Sequence, residues 1–224
     1  VLGCCFAFGG FKYHEQTFNV TGAQTNCSLL TLSVLSLLLP AAFRATVPDE
    51  YHPAIIPISH GAAVTMLVVY VLFLFFELKT HNDLFVMEHE GDETENMTAA
   101  GAAALLVAVT LVVALCAEYL VGSIEGVAES AGLTKAFIGL VLLPIVGNAA
   151  EHVTAITSAM HNNIGLSIAV AVGSSIQIAL FLTPAMVVFG WIIGTEFTLF
   201  FNVYETSVLF VSVMVTNSLL VDGK

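Results

Sequence analysis

The chain has 224 residues, 58% of them hydrophobic and 10% charged, with a net charge of −12 at pH 7 and a mean hydropathy of +0.94. This is the composition of a polytopic membrane protein rather than a soluble domain. Five basic residues against seventeen acidic ones argue against a nucleic-acid partner. The four cysteines (Cys4, Cys5, Cys27 and Cys116) lack paired metal-ligand spacing and read as small apolar fillers.

A membrane-crossing helix needs about 20 mostly apolar residues, and on that rule the chain divides into seven segments. Residues 1–10 read as the tail of one span. They carry no basic leader and no cleavage signature, so the chain reads as an internal fragment of a longer protein. Phe11 to Asn26 is polar and mixed, a loop or interfacial stretch. Spans follow from Cys27 to about Val47 and from about Ile56 to Leu78, and then an acidic stretch runs from Lys79 to Asn96. Met97 to about Val121 is the next span, and Gly122 to Thr134 is either a loop or that helix continued. A span from about Lys135 to Met160 turns at His161-Asn-Asn163 into a long apolar run, Ile164 to Gly194. That run must tilt, kink near Pro184 or break. Thr198 to Val221 closes the set. Positive-inside counting agrees weakly with a cytosolic acidic stretch.

An internal echo is present. Phe8-Gly9 is followed by Phe18-Asn19-Val20, and Phe189-Gly190 by Phe201-Asn202-Val203, each leading into a Ser-containing apolar span. An odd number of spans separates the two copies, so they would be inverted in the membrane.

The chemistry concentrates in Gly147-Asn148-Ala149-Ala150-Glu151-His152, inside an otherwise apolar span. A carboxylate there costs about 2.5 kcal/mol or more even on lenient insertion scales. Asn148 and Glu151 at i, i+3 would share a helix face with Ala155 and Ser158, and Pro144 with Gly147 permits a local break that frees backbone carbonyls as ligands. The next span carries Gly173-Ser174-Ser175-Ile176-Gln177, with Ser174 and Gln177 again i, i+3. Both motifs lie about ten residues from the shared turn, hence at similar depth. One carboxylate with amide, hydroxyl and carbonyl oxygens, and no basic residue, suits a hard cation. Ca²⁺ fits best, and Mn²⁺ or Na⁺ less selectively. A buried carboxylate can take up a proton as the cation leaves. A second carboxylate is required to balance a divalent ion. His152, one position round from Glu151, can tune the site. Glu118 and Glu205 are open between structural and functional roles, and Glu77 stands at a span end. The acidic stretch reads as a solvated linker, a Ca²⁺-attracting surface or a regulatory segment, and it lacks the pattern of an EF-hand loop.

Gly147-Asn-Ala-Ala-Glu-His152 followed by Gly173-Ser-Ser-Ile-Gln177 resembles the second-repeat signature of the Ca²⁺/H⁺ exchangers, the cation/proton exchanger branch of the Ca²⁺/cation antiporter superfamily. Ala179-Leu-Phe-Leu-Thr-Pro184, Gln16-Thr-Phe-Asn19 and Ser28-Leu-Leu-Thr-Leu32 are similar to that family too, most like its fungal vacuolar members. The resemblance implies an all-α polytopic membrane protein built from inverted five-helix repeats, here an incomplete set of about seven transmembrane segments. Residues 1–78 would belong to the first repeat, 79–96 to a cytosolic acidic linker or helix, and 97–224 to the second repeat without its last helix. Glu151 would be the principal cation- and proton-binding carboxylate, with Asn148, Ser174 and Gln177 supporting it. Glu88, Glu90, Asp92, Glu93 and Glu95 would form a regulatory acidic segment. The family's first-repeat Gly-Asn-x-x-Glu has no counterpart among these residues.

The function expected is secondary antiport rather than enzyme catalysis: cytosolic Ca²⁺ enters an acidic organelle such as the vacuole in exchange for H⁺, with Ca²⁺, H⁺ and lipid as partners and no cofactor. A homo-oligomer is compatible with this. The alternatives are a Na⁺/Ca²⁺ exchanger on the same scaffold, a passive cation channel, and a membrane-embedded metal-dependent hydrolase. The last would need a zinc pattern that His152 lacks.

Overall fold

The computed structural model describes residues 1–81 and 98–220, and among them every regular element is a helix. Four helical stretches are long and apolar enough to cross a membrane, Val20–Thr46, Asp49–Thr80, Ala99–Ile124 and Ile164–Ile193. A broken pair, Ile138–Gly147 with Ala149–Met160, supplies a fifth, and Leu2–Lys12 and Val203–Leu219 are shorter apolar helices. Each of the seven segments read from the sequence is thus helical among the described residues, five of them with the length and apolarity of a span and the first and last shorter.

Helix α1 is Leu2–Lys12 and α2 is Val20–Thr46. The start of α2 corrects the expected boundary near Cys27. Asn19 caps it, its side-chain oxygen accepting from the Gly22 N–H at 3.2 Å. The Thr25 hydroxyl donates to the Thr21 carbonyl at 2.9 Å and the Ser28 hydroxyl to the Gln24 carbonyl at 2.8 Å. Polar side chains folded back on their own helix let a mixed stretch enter an apolar one. A short 3₁₀ turn, Asp49–Ala54, leads into α3, Ile55–Phe75, which ends in a widened π turn at Phe76–Thr80.

The described residues fall into two compact units. One comprises residues 98–150. In it α4, Ala99–Ala131, starts at a Thr98 cap and ends at Gly132, whose φ of 64° is the left-handed value that glycine adopts freely. The stretch Gly122 to Ala131 thus continues the helix. The other unit joins the first 81 residues to those from Glu151 onward. It contains α8, Ile164–Ile176, a π turn at Gln177–Leu182, α9, Thr183–Ile193, and α10, Val203–Leu219. Its core is apolar, with Val34, Met66, Ile168, Val172, Ile176, Leu180 and Val187 buried on α2, α3 and the α8–α9 rod.

The internal echo appears in this unit as two matching corners. Gly9 stands three residues before the end of α1 and Gly190 three before the end of α9. Each leads through an irregular connection to an asparagine cap, Asn19 or Asn202. Both glycines are buried where a Cβ would collide: at Gly9 with Oε1 of Gln16, at Gly190 with the Phe197 ring and the Thr195 carbonyl. The helices that follow, α2 and α10, pack most extensively with each other. The Asn217 amide near the end of α10 donates to the Thr31 hydroxyl at 2.8 Å. Arg44 near the end of α2 lies 4.9 Å from the ring centroid of Phe200, just before α10. The two helices are therefore antiparallel, as copies with inverted topology require.

Asn217→Ala should lower the stability of the full-length protein in detergent by about 0.5–1.5 kcal/mol. In a double-mutant cycle on thermal unfolding, Thr31→Ala should add little to Asn217→Ala, because the pair shares one bond.

Candidate cation-binding site

The residues ahead of the Glu151 motif form α5, Lys135–Phe137, a π turn at Ile138–Leu142, and α6, Leu143–Gly147. A π turn followed closely by proline recurs in the next span, where Gln177–Leu182 precedes Pro184. Proline has no N–H and its ring presses on the carbonyl four residues back, and a wider turn accommodates both. This is the irregularity expected near Pro184, and π turns of this kind concentrate at functional sites.

After Gly147 the helix is interrupted. Asn148 ends α6 with φ −105° and ψ 19°, and α7, Ala149–Met160, begins anew. Glycine and asparagine are weak helix formers, and the Asn148 side chain competes for the backbone. Its amide donates to the Pro144 carbonyl at 2.9 Å, alongside its own N–H at 3.2 Å. The expected break is thus present, but it ends the continuous face that Asn148 and Glu151 would have shared. Asn148 is exposed and turned back on α6.

Glu151 and His152 lie in the first turn of α7, both partly buried. A carboxylate at a helix N-terminus is favoured by the free N–H groups and the helix dipole. Among the described residues no hydrogen bond or ion pair occupies Glu151. Ala155 and Ala159, one and two turns on, are fully buried, so this helix packs through small residues, as membrane helices do where they approach closely.

Ser174 is partly buried on α8 and Gln177 exposed at the start of the π turn. The Ser174 and Ser175 hydroxyls both donate to the Ala171 carbonyl, at 3.4 and 3.0 Å. Glu151 stands nine residues before the end of α7 and Ser174 ten after the start of α8. At 1.5 Å per residue these are about 13.5 and 15 Å from the common turn. Among the described residues no hydrogen bond joins Glu151, Ser174 and Gln177, and no three His, Cys, Asp or Glu side chains cluster as a metal site. Glu88, Glu90, Asp92, Glu93 and Glu95 lie outside the described residues.

The turn after α7 is built by its asparagines. Asn162 takes a left-handed φ of 63°, which asparagine tolerates. Asn163 caps α8, accepting from the Leu166 N–H at 3.1 Å. Two residues to which the sequence reading gave no role at this site reach the turn, Lys12 from the end of α1 and Gln16 from the α1–α2 connection. The Gln16 amide donates to the Ala159 carbonyl at 2.8 Å and to the Asn162 side-chain oxygen at 3.3 Å, and Lys12 Nζ donates to the Met160 carbonyl at 3.0 Å. They add donors at the end of α7, Gln16 to the Ala159 carbonyl, which also accepts from the Asn162 N–H at 3.2 Å, and Lys12 to the Met160 carbonyl, and the lysine charge suits a helix C-terminus.

Glu205 resolves into a structural role. Glu205 completes a capping box on its own helix: its carboxylate accepts from the Asn202 N–H at 3.3 Å, while the Asn202 side chain accepts from the Tyr204 N–H at 3.0 Å.

The sodium/calcium exchanger protein family matches residues 101–224. The chain belongs to that family. Along its whole length it is 46% identical to a protein of Schizosaccharomyces pombe named vacuolar calcium ion transporter, of which it covers 55%. It is 38% identical to a Ca²⁺/H⁺ antiporter of Aphanothece halophytica, of which it covers 64%. Among solved structures, native YfkE superposes over all of this chain with a TM-score of 0.79 at 31% identity, and the chain covers 63% of it. A further crystal structure of YfkE names it a Ca²⁺/H⁺ antiporter. The chain thus spans between half and two thirds of the length of these relatives.

Glu205→Ala should cost about 0.5–2 kcal/mol of stability through the lost cap, read as a lower Tm of the full-length protein. It should leave the KM for the transported cation unchanged, which separates Glu205 from Glu151.

Proposed function

We propose that this chain forms the greater part of a proton-coupled Ca²⁺ antiporter that moves cytosolic Ca²⁺ into an acidic organelle, the vacuole in a fungal setting. The observation that carries the reading is Glu151: a carboxylate with no partner among the described residues, in the first turn of a helix that begins at a break inside a membrane span. The names of the relatives support it, since they are vacuolar calcium transporters and Ca²⁺/H⁺ antiporters.

The chemistry follows from competition for one group. As an anion Glu151 attracts a hard divalent cation, with the oxygens of Asn148, Ser174 and Gln177 and freed backbone carbonyls completing the ligand set. As a carboxylic acid it carries a proton instead. Cation and proton exclude each other there, so exposing the site to each side in turn exchanges one for the other. A first-repeat carboxylate balances the second charge, and His152 tunes the site. Mn²⁺ is a secondary substrate on the same ligand chemistry. The segment 79–96 lies on the cytosolic side between the part of the first repeat in 1–78 and the second repeat in 97–224. There Glu88, Glu90, Asp92, Glu93 and Glu95 respond to cytosolic Ca²⁺. The protein is a carrier, not an enzyme.

The sodium/calcium description of the family supplies a second reading, Na⁺-driven exchange on the same scaffold. Full-length protein in vesicles separates the two. A pH gradient should drive Ca²⁺ uptake, and Glu151→Gln should abolish it, a loss of about 100-fold or more in rate. A Na⁺ gradient without a pH gradient should drive none. Uptake retained by Glu151→Gln would refute the assignment, and Na⁺-driven uptake would favour the second reading.

A further inference from the structure

The helix that bears Glu151 is held at its far end by a residue from the other part of its unit. Gln16 reaches from the α1–α2 connection to the Ala159 carbonyl and the Asn162 side chain. Its own position is set by Gly9, where Oε1 of Gln16 fills the space a Cβ would take. Ala159 completes the arrangement, since its Cβ would stand 3.4 Å from a Cβ on Gly9. Ala159 is fully buried and Gln16 partly so. Three small or fitted groups therefore join α1, the connection after it and the end of α7 in one contact.

That contact bears on Glu151 because α7 is a single uninterrupted helix from Ala149 to Met160. A helix transmits displacement along its axis, and Glu151 sits two turns from the fastened end. On the site reading given above, small displacements of a ligand group change cation affinity strongly. We infer that Gln16, seated over Gly9, is a positioning residue for Glu151: it fastens the C-terminal end of α7 to the α1–α2 connection and so sets the affinity of the cation site. Lys12, bonded one residue further on to the Met160 carbonyl, reinforces the same attachment.

Gly9 gives an independent handle. Gly9→Ala places a methyl group where the Gln16 amide lies. Alanine is the better helix former in α1, so the change acts by displacing Gln16 rather than by weakening the helix. The test is pH-gradient-driven Ca²⁺ uptake by the full-length protein in vesicles, comparing Gln16→Ala, Gly9→Ala, the double variant and Glu151→Gln. Gln16→Ala and Gly9→Ala should each raise the KM for Ca²⁺ about five- to tenfold while Vmax stays within about twofold. The double variant should be no worse than Gln16→Ala, because both changes remove one contact. A wild-type KM in Gln16→Ala, or additive effects in the double variant, would overturn the inference. Should Gln16→Ala fail to reach the membrane, a wild-type KM in Gly9→Ala overturns it alone. The two levels of failure are distinguishable. Uptake retained by Glu151→Gln removes the site reading and this inference with it, whereas an inactive Glu151→Gln beside a wild-type KM in Gln16→Ala removes only the role of Gln16.

Discussion

The whole structure answers to one constraint: inside hydrocarbon every backbone N–H and carbonyl must find a partner within the protein. The described residues meet it with helices throughout and depart from it sharply at one place in the site-bearing spans, Asn148. There the disruption is contained locally, because the Asn148 N–H keeps its bond to the Pro144 carbonyl and the Asn148 side-chain amide adds a second bond to the same oxygen. A new helix starts at once, and its first turn offers free N–H groups and the positive end of a dipole. Glu151 stands in that turn. The break and the carboxylate belong together, since the interruption gives the span a second helix N-terminus, which favours an anion.

The surroundings of that helix are arranged to place it rather than to enclose it. Its packing face is alanine at Ala155 and Ala159, and its far end is tied by Gln16 and Lys12. On the neighbouring rod Ser174 stands at matching distance from the shared turn, and Gln177 follows it where a π turn and Pro184 again loosen a helix.

Much of this was legible in the sequence. The spans, the break near Gly147, the irregularity near Pro184 and the paired Phe-Gly and Phe-Asn corners all follow from hydropathy and from residues with marked backbone preferences. The corners acquired a physical meaning only in three dimensions, where Gly9 and Gly190 each yield space to a side chain and Asn19 and Asn202 each cap a helix. Three features were not legible. The start of α2 at Val20 was hidden because polar residues that fold back on their own helix look like a loop to a hydropathy count. The shared face of Asn148 and Glu151 was assumed from helical spacing, which holds only in an unbroken helix. The reach of Gln16 to Ala159 spans a separation that no local pattern encodes.

The central claim is that Glu151 carries Ca²⁺ or a proton but not both. Calorimetric titration of Ca²⁺ into the purified full-length protein, in two buffers of different ionisation enthalpy, counts the protons released as the cation binds. The account predicts release on binding to the wild-type protein at a pH where Glu151 is protonated, and a loss of that Glu151-dependent release in Glu151→Gln. Equal proton release from the variant, or Ca²⁺ binding to the wild type with none, would contradict it.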